Sequence, residues 1–341
     1  MIYKNEFNLN DVKIILFNRD KLMTDMMKNI RIVEVYSDIA GYKKGASLGI
    51  DALKASSKEL NADYFEKLQF DSIEDDSNSE GESQFAHAKY ADVIEPIISK
   101  LAHKIKDIRN ENKFPIVLAG DHSSCAGTMH GLKMAHPDAE IGVVYIDAHA
   151  DFHSPYTSGS GNMHGMPLAM ACAIDNLECQ RNELSEKEKE YWEKLKFMAS
   201  DEPSIKPENV VFCAVRDYQE EEMDLIRRHK IPLYSVAEIT QKGISSTVEE
   251  IFKKLEYCDH IYVSFDVDSV DPLYVPGTGT PAMNGLSYEQ AMQLNIELIK
   301  NKKVCCWEMA EINPLYNNSK DDSTRIFKIL EKVTQSLLKN Y

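Results

Sequence analysis

The sequence predicts a three-layer α/β/α fold in which helices cover both faces of a mainly parallel central sheet. Short apolar runs rich in β-branched residues recur along the chain, and continuous runs of this kind are typical of strands that are buried on both faces. Stretches with apolar residues at helical spacing separate these runs, which is the alternation of an α/β domain. The predicted strands lie at residues 32–36, 116–119, 141–146, 210–215 and 260–265.

Helical spacing is clearest in three stretches outside these apolar runs. The three predicted helices lie at residues 91–109, 287–299 and 322–338. A further, charged surface helix is expected near residues 185–198 as an insertion between core elements, because Ser185 is a helix-capping residue and the charges after it have ion-pair spacing. The segment 71–84 is acidic and rich in serine, so we expect a mobile, solvated loop there.

The composition is that of an ordinary globular protein. Hydrophobic residues make up 43% and charged residues 28% of the chain, and no apolar run approaches the ~20 residues that a transmembrane helix requires. The first residues lack the basic stretch and apolar core of a secretory signal, and the seven cysteines include no Cys-x-x-Cys pair. We therefore expect a cytoplasmic protein with reduced thiols.

The formal net charge of −16 bears on the kind of partner the protein binds. It opposes binding to nucleic acid or to anionic membranes, because phosphate recognition depends on Lys and Arg. A cationic small molecule is electrostatically favoured instead. We therefore expect a small-molecule partner, with no nucleic acid and no membrane.

Three of the predicted strands end in acidic or imidazole side chains. In open parallel sheets, ligands bind just beyond the carboxyl ends of the strands, so these side chains are expected on one rim. The three clusters are Asp121-His122, Asp147-Ala148-His149-Ala150-Asp151 and Asp266-Val267-Asp268.

These clusters predict a metal centre. Side chains at positions i, i+2 and i+4 of an extended segment point to the same side, so each cluster can converge on one point. Four carboxylates massed there repel one another unless cations neutralise them, and the addition of two imidazoles gives too many ligands for one ion. The oxygen-rich set favours two Mn²⁺, although the order of metal affinities also admits Co²⁺, Ni²⁺ or Zn²⁺. The predicted ligands are His122, Asp147, His149, Asp151, Asp266 and Asp268.

Three further histidines, His130, His153 and His164, are expected near the rim. His164 lies in a segment after the second cluster that is predicted to be a loop because it contains Gly, Asn and Pro. An imidazole in such a loop could shuttle protons at neutral pH. His130 lies on a predicted helix after the first cluster, and we expect a packed or exposed histidine there, without a role in the site.

The sequence motifs at and around the three clusters resemble those of the ureohydrolase family, whose members include arginase, agmatinase and formiminoglutamase. They are most similar to the arginase motifs. The matching strings are residues 120–123, 147–151, 160–167, 264–272, 277–281 and 311–314. The resemblance implies a single arginase-like catalytic domain at residues 31–341 after an N-terminal extension at residues 1–30. Family members usually form trimers or hexamers, so a homo-oligomer is expected.

The resemblance also implies a division of the ligands between two metals that share two carboxylates. One metal would be held by His122, Asp147, Asp151 and Asp266, and the other by Asp147, His149, Asp266 and Asp268. A metal-bridging hydroxide would attack the guanidinium carbon of L-arginine, and the products would be L-ornithine and urea.

Three catalytic roles follow from the same resemblance. Asp151 would carry a proton from the hydroxide to the departing nitrogen, which is a poor leaving group until protonated. His164 would exchange protons with solvent. Glu311 would pair with the guanidinium and hold its carbon in place, since a bidentate carboxylate contact with a guanidinium is strong.

A second group of residues is expected to bind the end of the substrate remote from the guanidinium. The loop at 160–167 resembles the arginase version, in which the Ser and Asn contact an α-carboxylate. The predicted substrate-binding residues are His153, Ser160, Asn162, Asp217, Gln219, Glu222, Thr280 and Glu311.

Two positions depart from the arginase pattern. His153 stands where that pattern commonly has Asn, and Gln219 stands where it commonly has Asp. Loss of an acidic group that would face an α-ammonium leaves an agmatinase, guanidinobutyrase or formiminoglutamase-type hydrolase open. A catalytically silent metal-binding subunit and a deacetylase on a related fold are the remaining alternatives, and the quoted strings fit the deacetylase less well.

Overall fold

The computed structural model describes residues 27–75, 81–316 and 320–340. Eight strands form one sheet within this part of the chain: β1 Ile30–Tyr36, β2 Gln69–Glu74, β3 Phe114–Ala119, β4 Ile141–Ile146, β5 Val210–Cys213, β6 Leu233–Tyr234, β7 His260–Asp266 and β8 Val304–Ala310. Their order across the sheet is β2-β1-β3-β8-β7-β4-β5-β6, and every pair of neighbours is parallel.

Helices lie between most of these strands along the chain. They are α1 Gly49–Glu59, α2 Tyr64–Lys67, α3 Ala91–Asn110, α4 Ser124–Ala135, α5 Pro167–Cys172, α6 Glu186–Lys196, α7 Glu220–Arg228, α8 Val236–Lys242, α9 Ile244–Lys254, α10 Tyr288–Leu298 and α11 Lys320–Asn340. Short 3-10 turns occur at Ala46–Leu48, Met163–Gly165, Leu177–Cys179, Pro207–Asn209 and Val267–Ser269. Each helix of the described ranges is too short or too polar to span a bilayer.

The sheet is buried on both faces, which confirms the predicted three-layer fold. Every residue of β3, β4, β5 and β8 is buried. Successive residues of β4 contribute to two different apolar clusters, with Val143 and Tyr145 in one and Val144 and Ile146 in the other. Because side chains alternate across a strand, the two clusters lie on opposite faces of the sheet and require a helical layer on each side.

The expectation of a loop over residues 71–84 was wrong at its start, because residues 69–74 form the edge strand β2. Only Ile73 is buried in this strand, so an acidic composition is compatible with pairing along one edge. The carboxylate of Asp71 accepts a hydrogen bond from Arg31 Nε at 2.7 Å and lies 3.2 Å from Lys104 Nζ. Residues 76–80 of the expected loop lie outside the described residues.

The expected N-terminal extension also needs a correction at its boundary. Met27 is buried and β1 begins at Ile30, so the packed domain includes residues that were assigned to the extension. Residues 1–26 lie outside the described residues.

The charged helix expected near residues 185–198 corresponds to α6. Ser185 caps it through a capping box, in which Ser185 Oγ accepts a hydrogen bond from the backbone N–H of Glu188 at 3.3 Å and the Glu188 carboxylate accepts one from the backbone N–H of Ser185 at 2.9 Å. The helix is not only a surface element, because Trp192 and Leu195 are fully buried against neighbouring helices. The indole Nε1 of Trp192 donates a hydrogen bond to Asp175 at 2.7 Å.

Helices α3 and α4 pack so closely that two glycines of α4 lie against the backbone of α3. A Cβ on Gly127 would lie 2.9 Å from the carbonyl oxygen of Ile98, and one on Gly131 would lie 2.5 Å from that of Ala102. Backbone atoms cannot yield as a flexible side chain does, so these positions exclude larger residues. The contact fixes α4, which begins two residues after His122.

We predict that Gly131→Ala lowers the free energy of unfolding by about 1–3 kcal/mol, because the added methyl forces the two helices apart. Intrinsic helix propensity acts in the opposite direction by up to about 1 kcal/mol, so a net loss isolates the steric effect. Denaturant unfolding measures the change. Gly159→Ala is the matched control, since its Cβ would meet nothing closer than Arg181 at 3.7 Å. Equal or higher stability of Gly131→Ala would show that the contact is not tight.

Candidate metal centre and substrate cleft

Four adjacent strands of the sheet end at the candidate site. Asp147 follows β4 directly, Asp266 is the last residue of β7, and Glu311 follows β8. His122 lies three residues beyond β3. Since β3, β8, β7 and β4 are neighbours in the sheet, their carboxyl ends bring these side chains to one rim, as the sequence predicted.

The imidazole of His122 faces three carboxylates. Its Nδ1 lies 2.9 Å from Asp147, 3.2 Å from Asp151 and 3.1 Å from Asp266. Its Nε2 lies 2.7 Å from the hydroxyl oxygen of Ser264. A proton on Nε2 can therefore be donated to Ser264, which leaves the lone pair of Nδ1 directed at the carboxylates.

A second imidazole completes an adjacent group. His149 Nδ1 lies 2.9 Å from Asp268 Oδ2 and 3.5 Å from Asp147 Oδ1. Asp147 belongs to both groups, because its other oxygen faces His122. In each group the potential ligand atoms lie within 4.8 Å of one another.

The shared carboxylate supports metal binding. Asp147 Oδ2 is fully buried and faces His122 Nδ1 at 2.9 Å, and when His122 carries its proton on Nε2 this oxygen has no hydrogen-bond donor among the described residues. A buried carboxylate oxygen without a donor is costly unless a cation lies beside it. The donors are hard oxygens with two imidazoles, a set that suits divalent cations such as Mn²⁺ or Co²⁺. The residues present therefore fit divalent cations.

Without cations, burial and the repulsion among the carboxylates change the pKa values of three of them. Burial raises the pKa of Asp147 to about 6, and repulsion by Asp268 and Asp151 adds to this effect. Burial likewise raises the pKa of Asp266 well above its usual range. For Asp268, burial has the same sign, but His149 and hydrogen bonds outweigh it and lower the pKa. Protons and divalent cations would thus compete for the same oxygens.

The backbone is unusual at two of the predicted catalytic residues. Asp151 has a φ of 49° and Glu311 a φ of 67°, both in the left-handed region. Non-glycine residues adopt this conformation uncommonly, and active sites are one of the places where such backbone is found. It allows the chain to turn sharply after the carboxylate-bearing segments, so that both side chains remain at the rim.

The buried Glu311 pairs with His164, a half-buried residue that lines the cleft. Glu311 Oε1 accepts a hydrogen bond from the backbone N–H of His122 at 3.1 Å and lies 3.2 Å from His164 Nδ1. Burial alone lowers the pKa of His164, but the hydrogen bond and charge of Glu311 outweigh it and raise that pKa to about 9. One oxygen of Glu311 thus holds the imidazole and the start of the His122 segment.

A cleft of about 240 Å³ opens above this centre. It is bordered by the side chains expected to bind the far end of a substrate and by several of the metal-ligand candidates. The cleft residues include His149, Asp151, His153, Ser160, Asn162, His164, Asp217, Gln219, Glu222, Asp266, Asp268 and Thr280. Sequence reasoning missed Ser158 and Tyr218, which also line the cleft although each lies within two residues of a predicted one.

Glu222 holds one wall of the cleft together. Its two oxygens accept hydrogen bonds from the backbone N–H groups of Phe152 at 3.1 Å and Gln219 at 2.9 Å. Burial raises its pKa to about 7. His153 Nε2 lies 3.5 Å from Glu222, and burial lowers the pKa of His153 to about 4, so this imidazole is neutral at pH 7. Gln219 itself is exposed at the cleft.

Asp121 and His130, which lie on either side of His122 in the sequence, belong to neither group of potential metal ligands. Asp121 accepts hydrogen bonds from the backbone of Ala40 at 3.0 Å and of Ser123 at 3.0 Å, and it belongs to neither ligand group. His130 is buried, with Nδ1 2.7 Å from the hydroxyl of Ser204, in agreement with its expected packing role.

Comparison of this sequence with known proteins shows the family to which it belongs. The profile of the Arginase family matches residues 28–334. The arginase of Brevibacillus brevis is 31% identical over 297 residues, which are 85% of this chain and 92% of that protein.

Solved structures have the same fold. The crystal structure of arginase from Bacillus cereus has a TM-score of 0.74 at 27% identity and covers 91% of this chain and 98% of its own. The agmatine ureohydrolase of Thermoplasma volcanium has a TM-score of 0.65 at 19% identity and covers 93% of this chain and 92% of its own, which shows a common fold. The chain, with its paired carboxylate and imidazole groups at the carboxyl ends of a parallel sheet, is a hydrolase that belongs to the Arginase family.

Proposed function

We propose that this hydrolase cleaves the guanidinium group of L-arginine to give L-ornithine and urea, with two Mn²⁺ per subunit. The observation that carries the proposal is the shared carboxylate of Asp147, which faces His122 through one oxygen and His149 through the other. A bridging ligand of this kind suits two cations close together. An acidic cleft above them suits a cationic substrate.

The ligands divide into two sets around Asp147 and Asp266. His122 and Asp151 would complete one set, and His149 and Asp268 would complete the other. When bound, the cations supply a hydroxide at neutral pH from a water molecule. Thr280 donates a hydrogen bond to Asp268 Oδ2 at 3.0 Å and so orients that ligand.

The proton is carried by Asp151 in this proposal. Tyr145 donates a hydrogen bond to Asp151 Oδ2 at 2.9 Å, so that oxygen is fixed toward His122. Asp151 Oδ1 lies near Gly165, on the cleft side, where it could accept a proton and deliver it to the departing nitrogen. His164 lines the same cleft and exchanges protons with solvent.

Glu311 anchors the guanidinium through the oxygen that His164 leaves free. Oε1 is occupied by His122 and His164, whereas Oε2 lies 3.6 Å from the position of a Cβ on Gly279. Gly279 places no side chain beside this oxygen. A planar guanidinium can then lie against the carboxylate with its carbon near the metal centre.

Arginine is the substrate that the cleft supports best, and agmatine is the second candidate. The Brevibacillus relative is named an arginase, and Ser160 and Asn162 supply polar groups for a carboxylate. The observation that favours agmatine is Gln219, which places a neutral amide where an acidic group would face an α-ammonium. Asp217 still provides a carboxylate at that wall, beside the carboxyl group of Glu222.

The proposed function leads to three predictions, and the first concerns metal binding. Adding Mn²⁺ to chelator-treated protein should raise the unfolding temperature, because cations bind the native carboxylate cluster and not the unfolded chain. At a concentration one hundred times the dissociation constant, the gain is about 2.7 kcal/mol. Mg²⁺-free buffer with and without Mn²⁺ or Co²⁺ provides the comparison. An unfolding temperature that neither metal changes would contradict a metal centre here.

The second prediction concerns the substrate. Protein loaded with Mn²⁺ or Co²⁺ should release urea from L-arginine faster than from agmatine or guanidinobutyrate, and formiminoglutamate should yield no formamide. Colorimetric urea and formamide assays measure this. Turnover only of compounds without an α-carboxylate would exclude arginase activity, and no turnover with metal bound would favour a silent subunit.

The third prediction concerns proton transfer. Asp151→Asn should retain metal and fold, since Asn tolerates the left-handed backbone, while kcat falls by roughly 10²–10⁴. Metal content by atomic emission and steady-state kinetics separate the two effects. Asp138→Asn, at an exposed site, is the control for loss of one carboxylate. Full turnover by Asp151→Asn would refute its role in moving the proton.

A further inference from the structure

Lys89 lies directly behind the loop that carries Ser160 and Asn162. Its Nζ donates a hydrogen bond to Asn162 Oδ1 at 3.4 Å, and its backbone N–H donates to the carbonyl of Gly161 at 2.9 Å. Gly161 has a φ of 73°, and a Cβ there would lie 2.3 Å from the carbonyl oxygen of Ala86. The loop and the segment before α3 are therefore packed backbone to backbone, which fixes Lys89 relative to the cleft.

The charge of Lys89 is not neutralised by a neighbour as the charges of nearby cations are. Arg181 forms an ion pair with Glu221, and Lys44 lies 3.5 Å from Asp38. Within residues 27–75, 81–316 and 320–340, Lys89 has its polar side-chain contact with the neutral amide of Asn162 and no ion pair. In a chain of net charge −16, a half-buried lysine beside a cleft and without a carboxylate partner is available to an anionic group.

Lys89 also determines which side of the Asn162 amide faces a ligand. Because Oδ1 accepts the hydrogen bond from the ammonium, the Nδ2 donors of Asn162 remain for the cleft. Ser158 Oγ accepts from the N–H of Gly161 at 3.0 Å, and Ser160 Oγ accepts from the N–H of Asn162 at 3.2 Å. The two hydroxyl oxygens also lie 3.5 Å apart, so one hydroxyl can donate to the other while the second keeps its proton for a ligand. The loop thus offers donors and one positive charge, which is the chemistry that binds a carboxylate.

The cleft wall opposite loop 158–162 carries acidic residues in place of donors and a positive charge. Asp217 precedes α7 and Glu222 lies in the first turn of that helix, and both border the cleft, whereas loop 158–162 contains no acidic residue. A molecule with a carboxylate and an ammonium at the same end would match both walls. A molecule with an ammonium alone would leave Lys89 without its anion.

We propose that Lys89 is a specificity-determining residue that selects substrates with an α-carboxylate at the end remote from the guanidinium. It contributes a positive charge near the carboxylate and turns the Asn162 donors toward it. The inference rests on the proposed hydrolysis of a guanidine compound, and it names the substrate class as an α-amino acid and not a simple amine.

The test compares Lys89→Gln, Lys89→Arg and the parent protein, each loaded with Mn²⁺. Calorimetric binding of L-ornithine and of putrescine, which lacks the carboxylate, requires no turnover. We expect Lys89→Gln to lose about tenfold in ornithine affinity and in kcat/KM for arginine, with putrescine affinity unchanged. Lys89→Arg should retain most of the ornithine affinity because it keeps the charge. Lys189→Gln removes an exposed lysine of α6 that pairs with Glu186, and it should change neither affinity.

Three results would overturn the inference. These are an unchanged ornithine affinity in Lys89→Gln, an equal loss for ornithine and putrescine, and a parent protein that binds ornithine no better than putrescine. An equal loss would show that Lys89 only supports the loop. Failure of the proposed function is a separate result, because absence of urea release from arginine by the parent protein leaves the ornithine and putrescine comparison intact.

Discussion

The mutual repulsion of four buried carboxylates is the constraint on which the rest of this structure depends. Potential ligand atoms of Asp147 lie within 4.8 Å of those of Asp151 in one group and of Asp268 in the other. Two like charges about 4 Å apart repel by roughly 4 kcal/mol at an effective dielectric constant of 20, and burial adds a desolvation cost. Protons or cations must offset this energy. Neutralisation by cations creates the metal centre, and the proposed activity depends on that centre.

The sheet below the site is built to hold these charges still. Residues Tyr262, Ser264 and Asp266 alternate with apolar residues along β7 and point to the same side. Ser264 contacts His122, and Tyr262 donates a hydrogen bond of 2.7 Å to Glu308 of β8. The fully buried Glu308 also accepts hydrogen bonds from Ser124 at 2.6 Å and Thr128 at 2.5 Å on α4. A carboxylate satisfied by three hydroxyls thus ties two strands to the helix that follows His122.

Much of this arrangement could be predicted from the sequence, because apolar runs that end in acidic and imidazole residues indicate both the strands and the rim. All six predicted metal ligands meet at that rim, since strand order places β3, β7 and β4 near one another. Strand β2 was missed because an edge strand has only one buried face and no apolar run. Glu222 accepts a hydrogen bond from the backbone of Phe152, 70 residues away, and Lys89 reaches Asn162 across 73 residues, so neither contact has a local signal.

Anomalous diffraction from crystals of the protein soaked in Mn²⁺ tests the central claim most directly. Data collected at the manganese absorption edge should show two peaks per chain, one beside His122 and one beside His149, with Asp147 between them. A single peak, or none at these residues, would mean that protons and not a pair of cations relieve the repulsion among the buried carboxylates.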